Sequence, residues 1–259
     1  MPERPSVCFR KNRRWKRATI EMVVSERPNA DIERKLEMTK IKINSPKKLS
    51  MYKWKKLGSE SLRNALRLHQ DSISLFDLKS YPSAFQLSVL TLEEFAKAKW
   101  VEHYYYSSVT NEGFPDAEFE QGWLKLLYIH SEKQFGFVAR DMFEYSSKLV
   151  NALKSGDLER RKQQAVYVGL ERDKKTIKTD GKISLPTKIK YEDAKRMISW
   201  INAEFLFARK LLNFHGSYFG IEAMDDILLS SAADCLKEWP FKSRMRSRSH
   251  LKAHINQQK

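Results

Sequence analysis

Two stretches decide the fold: LRNALRLHQDSISLF at 62–76 and AFQLSVLTLEEFAKAKWV at 84–101. An α-helix turns ~100° per residue, so steps of three and four stay on one face. Leu62, Leu66, His69, Ile73 and Phe76 fall on such a stripe in the first stretch. Leu87, Leu90, Glu94, Lys97 and Val101 do so in the second. Both read as amphipathic helices, each with ionisable groups on the face its apolar neighbours mark for burial.

Outward from these stretches the pattern stays helical. Ser59 or Ser61 can cap the first helix, which ends near Leu78. Pro82 falls in the first turn of the second, where its missing N–H costs nothing, and that helix reaches about Tyr106. Gly113 and Pro115 mark a turn. A third helix is expected from about Asp116 to Phe135, with an interruption at Gly136 and a continuation to Lys154. It carries Phe119, Trp123, Leu126, His130, Lys133 and Phe137 at alternating steps of four and three. A short helix follows over 157–164. Ala165–Leu170 (AVYVGL) loses the helical period and reads as a short strand or extended segment, then a charged loop runs to Pro186. Helices over about 191–214 and 222–238 complete the chain. The fold class is mainly α, a helical bundle with one short extended segment near 165–170.

Of 259 residues, 48 are basic and 32 acidic, a net charge of +16. The excess belongs to the ends. Residues 1–58 hold 17 basic and 6 acidic side chains, and 237–259 hold 7 and 1. The stretch between is close to neutral. Residues 1–58 are expected to be a poorly ordered basic arm, residues 59–238 the folded domain and 239–259 a solvated basic tail. Met51 is an alternative start of translation. The ends could condense on a polyanion, with Trp15 inside the basic run Arg10–Arg17 offering a stacking ring. Cys8 and Cys235 form no framework, which fits a reducing cytosol. No apolar run reaches the ~18 residues of a membrane span. P-loop, GxGxxG, GxSxG and HExxH patterns are absent, so the common nucleotide, hydrolase and zinc-protease classes are excluded.

Three consecutive helices thus direct ionisable groups toward one interior: His69 from the first, Glu94 and Lys97 from the second, His130 and Lys133 from the third. Glu93 adds to the group. Buried unpaired charges cost several kcal/mol, so these groups must pair, reach solvent in a cleft or meet a ligand. One reading is a structural ion-pair network, with His69 a satisfied core histidine and Lys133 reaching the surface. The other is a polar cleft holding a carboxylate, an imidazole and an ammonium, the parts needed for phosphodiester cleavage without a metal. Glu93, Glu94, Lys97, His130 and Lys133 are the catalytic candidates. No metal or other cofactor is expected, because lysine is no ligand and Glu93 and Glu94 point ~100° apart on a straight helix.

The order of these elements resembles the AbiV family of bacterial abortive-infection proteins, which carry a HEPN-type helical domain. The matching stretches are NALRLHQDSISLF at 64–76, AFQLSVLTLEEFAKA at 84–98, HSEK at 130–133 and KQQAVYV at 162–168, then a glycine and proline near 181–186. The likeness covers roughly 59–215. It implies a HEPN-type bundle, often a homodimer, and a role in phage defence through growth or translation arrest. It also implies a phage protein as trigger and RNA as substrate, since many HEPN relatives are RNA-cleaving toxins with an R-x(4–6)-H motif on a later helix. The alternative is a non-catalytic module that binds a phage or host protein. Here the motif is out of place. Arg63 and His69 have the spacing on the first helix, Arg248 and His254 in the tail, and Lys125 and His130 with lysine in place of arginine. Through the resemblance, Arg63, His69 and Lys125, with Asn64 on the rim of the cleft, are expected as the residues that contact phosphate or RNA.

Overall fold

The computed structural model describes residues 48–110, 113–139, 144–170, 172–173 and 176–243. The basic arm before residue 48, with Trp15, and the tail after 243, with Arg248 and His254, lie outside the described residues.

Helix α1 (Met51–Asp77) starts earlier than Ser59. Its N-cap is Ser50, whose side chain accepts from the Lys53 amide. The buried stripe extends two turns back through Gly58 to Trp54, which is fully enclosed. A sharp turn with Lys79 at φ 61° leads into α2 (Tyr81–Thr110). Helix α2 is the axis of the domain: α1, α7 and α4 pack around it, and α6 touches it. It is buried on nearly every side. Its half-exposed strip runs through Leu87, Leu90, Glu94 and Lys97, the positions whose spacing predicts the inward face.

The expected third helix is two. Helix α3 (Ala117–Leu126) is capped by Asp116, whose carboxylate accepts from the Phe119 amide at 2.8 Å. It ends where the amides of Leu127, Tyr128 and Ile129 each bond three residues back, tightening the last turn. Helix α4 (His130–Ala139) then begins at His130. The break dissolves the stripe that would have run from Phe119 to Phe137. Phe119 is exposed and His130 stands at a helix start. Gly136 does not interrupt α4. A Cβ there would lie 2.7 Å from Cε2 of Trp100, so glycine lets α4 approach the indole on α2.

Helices α5 (Ser147–Lys154) and α6 (Asp157–Gln164) follow. The AVYVGL segment pairs only at β1 (Gly169–Leu170), antiparallel to β4 (Ile183–Ser184), with β2 (Arg172–Asp173) and β3 (Thr176–Ile177) paired inside them. Helix α7 (Tyr191–His215) buries Ile198, Ile201, Phe205, Ala208 and Leu212, the stripe its sequence predicts. The last expected helix is divided into α8 (Glu222–Leu229), a 3-10 turn and α9 (Cys235–Glu238), because Ser230 adopts an extended conformation. The core is aromatic at its centre, where Phe95 of α2 lies 4.5 Å from Phe205 of α7. No helix among the described residues is long and apolar enough to cross a membrane.

Candidate functional site

Glu93 faces inward from the middle of α2, and its side chain is 1% exposed. Helices α4 and α6 close over it, and both are polar where they do so. From the first turns of α4, His130 Nδ1 comes to 2.7 Å from Glu93 Oε2, and Gln134 Nε2 donates to Oε1 at 2.8 Å. Lys133 Nζ stands 3.6 Å from Oε2. From α6, Lys162 Nζ donates to Oε1 at 2.8 Å and also pairs with Glu159 at 2.7 Å. Gln134 bridges the two carboxylates, since its amide also donates to Glu159 at 2.8 Å.

Burial alone would raise the Glu93 pKa. The hydrogen bonds from His130, Lys162 and Gln134, with the Lys162 charge, outweigh it and hold the carboxyl at about 2. Glu93 is therefore an anion, and Nδ1 of His130 carries the proton it donates. In the neutral imidazole Nε2 is then left with a free lone pair. The His130 side chain is 54% exposed although its Nδ1 edge rests on a buried carboxylate, so the Nε2 edge faces solvent. The result is a fixed carboxylate, an oriented imidazole open on its far side and two ammonium groups beside it. Such a set can accept and return a proton and can hold an anion.

Glu93, His130 and Glu159 also offer donor atoms within 4.8 Å of one another, a set of the kind that can hold a metal ion. The ammonium of Lys162 lies among them, 2.8 Å from Glu93, 2.7 Å from Glu159 and 3.3 Å from His130 Nδ1. A divalent ion would have to displace this tethered cation and sit beside Lys133 as well.

The remaining sequence candidates are engaged elsewhere. Glu94 and Lys97 pair with each other at 2.8 Å on the half-exposed strip of α2. Arg63 pairs with Glu60, and Asn64 accepts from Arg67 at 2.9 Å, both on the exposed side of α1. Lys125 is half-buried in the last turn of α3, on a different helix from His130. His69 is fully buried and its Nε2 donates to Asn202 Oδ1 at 2.9 Å. Burial pushes its pKa down to about 4, against the smaller upward pull of that bond. It is enclosed in the core, with Nε2 bonded and the buried Nδ1 without a hydrogen-bond partner among the described residues.

Sequence reasoning missed Gln134, Glu159 and Lys162. It also missed Lys99, buried on α2, whose Nζ donates to the Phe137 carbonyl at 3.1 Å and meets Glu204 of α7 at 3.5 Å. The one advance signal was the stretch KQQAVYV, which opens with Lys162.

The mainly helical fold agrees with the family comparison. The AbiV family model, HEPN_AbiV, matches residues 53–206, more than half of the chain. The chain belongs to this family, which places it among abortive-infection proteins of HEPN type. Among curated proteins and among solved structures nothing matches significantly.

Proposed function

We propose that this abortive-infection protein arrests infected bacterial cells by cleaving RNA without a metal, with His130 as the proton-transfer group. The observation that carries the reading is the 2.7 Å contact between Glu93 and the half-exposed imidazole. A buried carboxylate that fixes one tautomer and leaves the opposite nitrogen in solvent is the arrangement general base chemistry requires. His130 Nε2 would take the proton from a ribose 2′-OH. The 2′-oxygen then attacks phosphorus, the bond to the 5′-oxygen breaks, and the same imidazole returns the proton to that leaving oxygen. Lys133, whose side chain is buried rather than reaching the surface, lies 3.6 Å from Glu93 and would steady the charge on the phosphate oxygens. Lys162 is more enclosed and would position Glu93. Glu94 and Lys97, paired with each other, have no step in this scheme. Action as a homodimer in response to a phage protein belongs to the same proposal and rests on the family, and action in the cytoplasm rests on the cysteine usage.

A second reading has its own support. Glu93 is saturated with donors, as a structural network joining three helices requires. The chain would then be a non-catalytic module that binds a phage or host protein. Expression of His130→Ala in phage-infected cells separates the two. The catalytic reading expects loss of growth arrest in a variant that stays folded and loses only about 1–2 kcal/mol of stability. Arrest that persists in a folded His130→Ala variant rejects it.

A further inference from the structure

The apolar side chains between α6 and α7 change environment abruptly. At the base of this segment Ala165 and Ile189 are buried, and Arg161 of α6 pairs with Asp193 of α7 at 2.8 Å. Beyond the base the chain leaves the core. Leu170 pairs in register with Ile183, and Gly169 with Ser184. Carried one residue back toward the base, the same register sets Val168 beside Leu185. Alternate residues of a strand share a face, so Val168, Leu170, Ile183 and Leu185 line one side of the arm while Gly169 and Ser184 line the other. All four are exposed, by 67%, 40%, 56% and 41%. Among the described residues β1 and β4 pair only with each other, so each also keeps an open hydrogen-bonding edge.

Uncovered branched aliphatic side chains in register on a two-stranded arm mark a protein-binding surface. The charge around them selects the partner. Residues 165–190 hold seven basic and three acidic side chains, and Lys178, Lys182, Lys188 and Lys190 are exposed. This excess repels a second copy of the same arm. It suits an anionic partner, and the four side chains of the face are aliphatic, with the exposed Tyr167 next to Val168 the one aromatic ring in the 165–170 segment, so the face favours a protein over stacked bases. We propose that the paired strands β1 and β4, with the flanking Val168 and Leu185, dock an extended, acidic protein segment that adds along their edge and covers the Val168–Leu170–Ile183–Leu185 face. This surface does not depend on whether the Glu93–His130 centre cleaves RNA.

The test uses the full chain and a labelled synthetic strand alternating valine with glutamate, followed by fluorescence anisotropy. The acidic strand is expected to bind. Val168→Asp/Ile183→Asp, and the milder Val168→Ser/Ile183→Ser, should each weaken it at least about tenfold, a loss of ~1.4 kcal/mol. Lys182→Glu should weaken it too, and the lysine counterpart of the strand should not bind. The proposal is overturned if the acidic strand does not bind or binds these folded variants equally well. It is also overturned if the same variants instead dissociate a dimer of the chain in sedimentation, or abolish binding of an oligouridylate.

Discussion

Glu93 and His130 lie 37 residues apart on different helices, yet their side chains meet at 2.7 Å with one fully enclosed and the other half in solvent. That asymmetry separates the two residues experimentally. The carboxylate holds charge inside the bundle, whereas the imidazole can be removed from outside.

For Glu93→Ala the expectation is a loss of about 3–5 kcal/mol in denaturant unfolding, because Lys162 and Lys133 would face each other without their shared counter-charge. His130→Ala should cost about 1–2 kcal/mol, one charge-assisted hydrogen bond at a half-exposed site, since Gln134 and Lys162 still satisfy the carboxylate. Equal losses in the two variants would show that the imidazole is as structural as the carboxylate.

The buried Lys99–Glu204 pair gives a second test. Either Lys99→Met or Glu204→Leu alone should destabilise by about 3–5 kcal/mol, while the double variant should recover most of that loss. Chemical denaturation of the four proteins in a double-mutant cycle measures the coupling. Additive losses would mean that the charges do not depend on each other.

His69 sets a pH dependence. Its pKa is lowered from 6.5 to about 4 in the fold, so the unfolded chain binds the extra proton between these values. Stability from this group is full above pH 6.5 and is lost as pH falls toward 4, by up to about 3 kcal/mol. Glu93, lowered from 4.5 to about 2, contributes above pH 4.5 and is lost as pH falls toward 2. Unfolding free energy measured from pH 7 to 4 should therefore decline in the native chain and flatten in His69→Asn. An unchanged slope in that variant would place the titration on another group.

Gly136→Ala should destabilise by about 1–3 kcal/mol, because the added methyl group meets the buried Trp100 ring and one of the two helices must shift. A melting temperature equal to that of the native chain would show that α4 has slack against α2.

Helices α1 and α7 were legible in the sequence because each lies at the side of the bundle and shows one face to the core. Their apolar steps name that face directly, from Leu62 to Phe76 and from Ile198 to Leu212. Helix α2 was legible as a helix and illegible in orientation. Enclosed almost all round, it has no polar face to subtract, so spacing selects Leu87, Leu90, Glu94 and Lys97, which are the half-exposed positions. The inward acids are the neighbouring Glu93 and Glu102 near the end of the helix, and the inward lysine is Lys99.

Parts of the polar centre were visible and parts were not. HSEK at 130–133 and the acid pair at 93–94 stand out as charges near apolar runs. The turn at 127–129 is spelled Leu-Tyr-Ile, with no glycine or proline to announce that His130 opens a new helix. Lys162 sits in DLERRKQQ, a segment so polar that nothing marks one lysine for burial. Its enclosure follows only from α6 packing over Glu93, a contact 69 residues distant in the chain.

The most direct measurement compares RNA ends from phage-infected cells carrying the native chain or folded His130→Ala. New 2′,3′-cyclic phosphate and 5′-hydroxyl ends are expected with the native protein and absent with the variant. Growth arrest without such ends, or the same ends from both proteins, would contradict a catalytic role for the Glu93–His130 centre.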